Sequence, residues 1–197
     1  MRFLSRVLRP AVVMLLALTL ITGAAYPAII TAIAQVVFPS QANGSMIVVN
    51  GQTVGSSLIG QCFDQPKYFW GRPSAAGVTD SNPCGYDANN SAGSNLGPTS
   101  QALIDRITAS VDSLRAANGN GPVPVDLVTT SASGFDPDIS PAAAEYQVAR
   151  VAAARGIPVD AVRAAVARHT EQPLLGFLGE PRVHVLMLNL DLDGVLQ

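Results

Sequence analysis

Between Arg9 and Asp64 the chain carries no charged residue, and the first part of that interval, Pro10 to Phe38, is almost wholly apolar. A helix crossing the hydrocarbon core of a bilayer needs roughly 20 predominantly apolar residues, because the core is about 30 Å thick and each helical residue advances about 1.5 Å. The run AVVMLLALTLITGAAYPAIITAIAQVVF exceeds that requirement, so residues 10–38 read as a transmembrane helix. Arg2, Arg6 and Arg9 precede it, and no Lys or Arg follows until Lys67. Cytoplasmic flanks hold the positive excess, so residues 1–9 are expected in the cytoplasm and 39–197 outside it. The rival reading is a cleaved signal peptide, with a basic start, AVVMLLALTLIT as its apolar stretch and Gly23-Ala24-Ala25 as a cleavage site. Against it, the apolar character runs on through Ile29, Ile30, Ile33, Val36 and Val37, which a signal peptide does not need. Pro27 does not exclude a span, and small residues at Gly23, Ala24, Ala25 and Ala28 suit close packing on other helices.

What remains of the 197 residues amounts to one ordinary domain. Charged residues make up 13% of the chain, against roughly 25% in typical soluble proteins, a deficit larger than one span explains. A covering partner accounts for it. The net charge is −2 and Lys67 is the sole lysine, which excludes nucleic acid as a partner. The two cysteines, Cys62 and Cys84, fall in the segment expected outside the cytoplasm, where disulfides persist; the alternatives are a bridge or two independent buried thiols.

Met46–Val49, ended by the hairpin signal Asn50-Gly51, reads as a strand, and Ser57–Phe63 and Tyr68–Trp70 as further short strands. Arg72 to Pro98 is a long loop of a kind that is usually functional or covered. Helical spacing of Leu103, Ile107, Val111 and Leu114 predicts a helix over Thr99–Ala117. Val123–Thr130 reads as extended. Ser140-Pro141 opens a helix that ends at Gly156 and buries Ala144, Val148, Val151 and Ala152, and Val159–Thr170 forms another, with Asp160 in its first turn. Arg182–Leu190 reads as a strand. The expected fold class is α+β: one N-terminal transmembrane helix followed by a single domain of three helices on a small mixed sheet.

The motifs of self-contained catalysis are missing. The sole lysine lies in Gln65-Pro66-Lys67-Tyr68, so no Walker A loop exists; no Gly-x-Ser-x-Gly elbow occurs, and Ser131-Ala132-Ser133-Gly134 lacks the lysine of a Ser-x-x-Lys nucleophile. His169 and His184 have no ligand at zinc spacing and read as ordinary helix-end and strand histidines. Asp136, Asp138, Glu145 and Glu180 offer carboxylates for an acid/base or cation site, but Gly134–Asp138 reads more simply as a turn whose aspartates bond local amides before the helix. Arg72, between Tyr68-Phe69-Trp70 and Pro73, is expected either to stack on those rings or to pair across an interface, which makes Arg72, Tyr68, Phe69 and Trp70 candidate interface residues.

Several blocks then fall into a recognisable order: Gly55–Gln61, Tyr68–Ala75, Gly93–Leu96, Pro124–Thr129, Ser131–Pro141 and Gln147–Ala152. Together, and with the anchor, they resemble the C subunits of the bacterial Kdp-type potassium-transporting ATPase. The sequence departs from that pattern at Phe135, where Leu is usual, and at His184, where Asn is usual. The resemblance implies a single-pass accessory subunit of the bacterial inner membrane with an extracytoplasmic domain. It also implies partners: a channel-like potassium-translocating subunit, a P-type ATPase subunit, a small hydrophobic subunit, and membrane lipid. It marks Ser133, Gly134, Asp136, Asp138 and Ser140 as a family loop. No cofactor is expected in this chain, ATP and K+ being handled by the complex. The family's assigned role of raising ATP affinity implies an alternative, a nucleotide-binding regulator; the expected topology sets the domain on the side away from ATP, so any such effect would pass through the membrane subunits.

Overall fold

The structure, a computed structural model, describes residues 2–195, with side chains described from Arg6 onward. Met1, Leu196, Gln197 and the Arg2 side chain used in the orientation argument lie outside the described residues. The chain divides into two compact units, residues 1–46 and 47–197.

The first unit is helical: α1 (Arg2–Leu20), a π-helical turn (Ile21–Ala25), α2 (Tyr26–Val37) and the short α3 (Pro39–Ala42). The π turn has a local cause. Pro27 has no N–H for the Gly23 carbonyl and its ring crowds that group, and the backbone widens just before it, with Tyr26 N–H donating to Ile21 O. Arg6–Val37 is one 32-residue apolar stretch, none of it buried. At about 1.5 Å per residue it is longer than the hydrocarbon core of a bilayer.

β1 (Met46–Val49), which begins at the boundary between the units, and β2 (Gln52–Ser56) pair across the Asn50-Gly51 turn. A long irregular stretch leads to α4 (Gln101–Asn118), a 3-10 turn (Val125–Leu127), β3 (Asp138–Ile139), α5 (Pro141–Arg155), α6 (Val159–Arg168), β4 (Thr170–Glu171), β5 (Arg182–His184) and α7 (Val185–Leu192). β5 is central in the order β3-β5-β4, antiparallel to both neighbours, with Ile139 and Thr170 opposite Val183.

The helix α5 begins as its residues dictate. The Ser140 hydroxyl accepts the Ala143 N–H at 3.0 Å, Pro141 takes the first helical position, and Gly156 closes the helix in the left-handed conformation. Its buried face, Ala143, Ala144, Val148, Val151 and Ala152, packs with Val162, Ala165 and Val166 of α6, with Val183, and with Val185 and Leu188 of α7. Alanines on both helices let the α5 and α6 backbones approach closely.

Six expectations are corrected. Val123–Thr130 contains a 3-10 turn rather than an extended run, since the Leu127 N–H donates back to Pro124 O. Arg182–Leu190 is a strand only to His184. There the imidazole Nδ1 accepts the Met187 N–H and starts α7, and the apolar run, ambiguous between buried strand and buried helix, becomes the helix. Ser57–Phe63 and Tyr68–Trp70 are not strands. The three-stranded sheet is antiparallel rather than mixed, and among the described residues four α-helices rather than three build the domain.

Candidate functional site

The Tyr68–Trp70 segment takes its backbone hydrogen bonds from side chains instead of from a neighbouring strand. Asn189 of α7 accepts the Phe69 N–H at 2.8 Å and donates to Phe69 O at 3.0 Å. Gln147 of α5 accepts the Trp70 N–H at 2.8 Å and donates to Trp70 O at 3.1 Å. Two carboxamides thus reproduce, one residue apart, what a β ladder would supply. Gln147 and Phe69 are fully buried and Asn189 nearly so, so Phe69 is a core side chain and its expected interface role is corrected.

Arginines of α5 complete the frame. Arg150 lies 3.9 Å over the Trp70 ring, donates to Tyr68 O at 2.9 Å, to Pro66 O and to Asn118 Oδ1, and its pKa is lowered to about 10 by burial. Arg155 donates to Lys67 O and Leu192 O, both at 2.7 Å, and pairs with Asp193 at 2.8 Å. Tyr68 joins the same carboxylate through its hydroxyl at 3.0 Å. The arginine that stacks on the aromatic run is therefore Arg150, 82 residues beyond Tyr68 in sequence, and not Arg72.

Arg72 instead pairs with Asp136 at 2.8 Å and reaches Thr129 O at 3.4 Å, joining the Tyr68–Ala75 block to the Ser131–Ser140 block. Ser74 Oγ donates to Gly134 O at 2.7 Å and accepts the N–H groups of Ala76 and Tyr86. The Tyr86 hydroxyl donates to Arg72 O at 2.6 Å, and its pKa is pushed up to about 12, mainly by burial and further by Asp136. Gly134 is required here. At φ 73° a Cβ would stand 2.7 Å from both the Ala76 Cβ and the Ala92 carbonyl. Arg72→Ala should cost about 1–2 kcal/mol of domain stability, a charged hydrogen bond discounted for partial exposure. Unfolding of the full-length chain would measure it, and an unchanged transition would show the pair to be idle.

A cleft of about 340 Å³ opens beside this joint, lined by Arg72, Asp126, Asp136, Asp138, Glu180 and Arg182 among others. Burial raises the Asp138 pKa, with His184 and then Arg182 opposing it. The amides of the family loop are already engaged: Gly134 N–H donates to Ser131 Oγ, Phe135 N–H to Ser133 Oγ, Asp138 N–H to Asp136 Oδ1 and Ser140 N–H to Asp126 Oδ2. A phosphate cradle needs free, converging N–H groups, and here they are occupied and faced by carboxylates. Among the described residues no group of three or more His, Cys, Asp or Glu is placed to hold a metal ion.

The histidines have structural positions. His184 Nδ1 accepts the Met187 N–H, so Nε2 carries the proton and donates to Ser57 O at 2.8 Å. His169 caps α6 and meets Asp191 at 3.0 Å, where Arg168 also binds at 2.7 Å. The Arg168 hydrogen bond, then that of His169, lowers the Asp191 pKa. A depressed carboxylate contributes stability that is present above its unfolded pKa of about 4 and is lost as pH falls through the lower folded value. Asp191→Asn should therefore flatten that part of the acid limb of a stability–pH curve. An acid limb identical to that of the parent chain would rule this out.

Cys62 and Cys84 are disulfide-bonded, with Cα atoms 5.7 Å apart, and tie the long loop to the segment after β2.

The family model described as "KdpC: K+-transporting ATPase, c chain" matches residues 8–194. A Rhodopseudomonas palustris protein named "Potassium-transporting ATPase KdpC subunit" is 59% identical over 193 residues, covering 95% of this chain and 97% of its own length. A Sorangium cellulosum protein of the same name is 61% identical over 189 residues, covering 95% of this chain and 97% of its own. This chain belongs to the KdpC family.

The blocks that carried the KdpC resemblance are those that meet in space. Tyr68–Trp70 lies against Gln147 and Arg150, and Arg72-Pro73-Ser74 against Thr129 and Gly134–Asp136. Sequence reasoning missed Gln147, Arg150, Arg155 and Asn189. The available signal was polarity in apolar company, a lone Asn inside Val185–Leu190 and a Gln beside Val148 on the inward face of α5.

Proposed function

We propose that this KdpC-family chain is a non-catalytic accessory subunit of an ATP-driven, high-affinity potassium-uptake complex, anchored by residues 10–38 with residues 1–9 in the cytoplasm and 39–197 extracytoplasmic. The observation that carries the reading is the family match over residues 8–194, which spans anchor and domain alike. The apolar Arg6–Val37 helix and the basic residues before it support the topology. Its partners are a channel-like potassium-translocating subunit, a P-type ATPase subunit and a small hydrophobic subunit. The outer domain stabilises the assembly and acts at the extracytoplasmic side of the translocating subunit, while ATP and K+ are handled by the complex. Intact-complex mass spectrometry after purification through a tagged ATPase subunit should find the chain at fixed stoichiometry. Recovery of the chain only as a free species would overturn the reading.

The nucleotide-regulator reading draws support from one feature, a groove of about 560 Å³ bordered by Phe63, Trp70, Pro73 and Arg106, an aromatic wall with a cation beside it. Titrating ATP into the full-length chain and following Trp70, its only tryptophan, decides between them. Saturable micromolar binding would favour the regulator.

A further inference from the structure

Four large apolar side chains stand in solvent on one short loop. Leu174, Leu175, Phe177 and Leu178 are 70%, 75%, 73% and 50% exposed. The loop holds a defined shape: Leu174 N–H donates to Leu178 O at 3.1 Å and Leu178 N–H to Leu174 O at 2.9 Å, with Leu175 and Gly176 both at positive φ between them. Elsewhere from β1 onward, Met46 and Val48 form a pair on one face of that strand, and Leu58, Val78, Leu96, Ile104, Val125 and Val159 are scattered singly and need no explanation. A contiguous cluster does, because soluble surfaces rarely keep one without a partner.

Charge around the loop indicates what covers it. Residues 172–179 are uncharged, and Glu171 and Glu180 flank them. Arg182, the cation nearby, is taken up by Glu171 at 2.7 Å and Asp138 at 3.3 Å, while Glu180 has no ion-pair partner among the described residues. The rim is therefore net negative. Apolar segments that insert into lipid carry basic rims drawn to anionic headgroups, and this rim has the opposite sign. A protein recess, apolar at its centre and edged with basic side chains, complements both features.

We propose that the Pro173–Leu178 loop is the surface through which this domain docks on an integral subunit of the transport complex, seating Leu175 and Phe177 in an apolar recess rimmed by positive charge. The inference rests on the accessory-subunit reading above. The test uses the whole complex in native membranes, with photoreactive benzoylphenylalanine in place of Phe177. Illumination should join the chain to another integral subunit; capture of lipid alone, of a second copy of this chain, or of nothing overturns the docking. In parallel, full-length chain carrying Leu175→Ser and Phe177→Ser should bind the complex assembled without it roughly tenfold or more weakly, as for the loss of buried anchors. Glu180→Lys should weaken it in the same direction. The Trp70-monitored unfolding transition should stay where it is in both variants, since none of these side chains belongs to the core. Unchanged binding by the serine variant overturns the proposal while leaving the accessory-subunit reading in place. A parent chain that never joins the complex overturns that reading itself.

Discussion

Asn189→Leu should destabilise the folded domain by about 2–6 kcal/mol, the sum for two buried backbone groups left without partners at about 1–3 kcal/mol each. Leucine keeps the branched heavy-atom skeleton of asparagine and is the bulkier of the two, so no cavity opens and the lost hydrogen bonds are joined only by the strain of two larger methyl groups. The groups concerned are the N–H and C=O of Phe69, a residue with no exposure at all. Urea unfolding of the full-length chain in micelles, followed through Trp70, measures the effect close to its source. Gln147→Leu should behave alike, because it strips the same pair of bonds from Trp70. A cost below about 1 kcal/mol for Asn189→Leu would mean that water satisfies Phe69 and that the carboxamide frame does not hold the segment.

Reduction of the Cys62–Cys84 bond should lower stability by about 3 kcal/mol, the chain-entropy value for closing a loop of this size. The sequence separation is 22 residues, and most of the enclosed segment is irregular. As far as Arg72 the segment is held by Asn189, Gln147 and Asp136; beyond it the restraints are the Ser74 hydroxyl on Gly134 O, the Asn82 side chain bonded to Gly77 O and Gly85 O, and the Tyr86 hydroxyl on Arg72 O. Without the bridge they must hold the loop alone. Cys62 is exposed, so reductant reaches it without prior unfolding. Labelling of the denatured, unreduced chain should find no free thiol, and the unfolding midpoint should fall after reduction. Two labelled thiols would remove the bridge and, with it, one support for placing the domain in an oxidising compartment.

Local signals sufficed for the N-terminal apolar run, α4 and α5, though not for the 3-10 turn at Val125–Leu127 or for the His184 cap that starts α7. The apolar run, the Leu103–Leu114 periodicity of α4, the Ser140-Pro141 start and Gly156 stop of α5, and its buried alanine and valine face each depend on residues a turn or two apart. Tyr68–Trp70 misled because its composition suits a strand while its hydrogen-bond partners are side chains from α5 and α7. Arg72 misled for a related reason. Proximity in sequence put it beside the rings, but its carboxylate lies 64 residues away in Asp136, whereas Arg150 reaches Trp70 from a helix whose register no single-segment pattern encodes.

Sequence alone determined the N-terminal apolar run, the helices α4 to α6 with the caps of α5, the lack of catalytic motifs and the resemblance that the family match then made firm, because each is written in contiguous residues or in ordered blocks. Tertiary structure alone decided that Asn189 and Gln147 serve as the missing strand, that Arg150 takes the stacking role, that Val185–Leu192 is a helix, and that Leu174–Leu178 stands uncovered. Those outcomes depend on which buried polar groups find one another after distant elements pack, and a backbone N–H must be satisfied by whatever partner the packed core brings within reach.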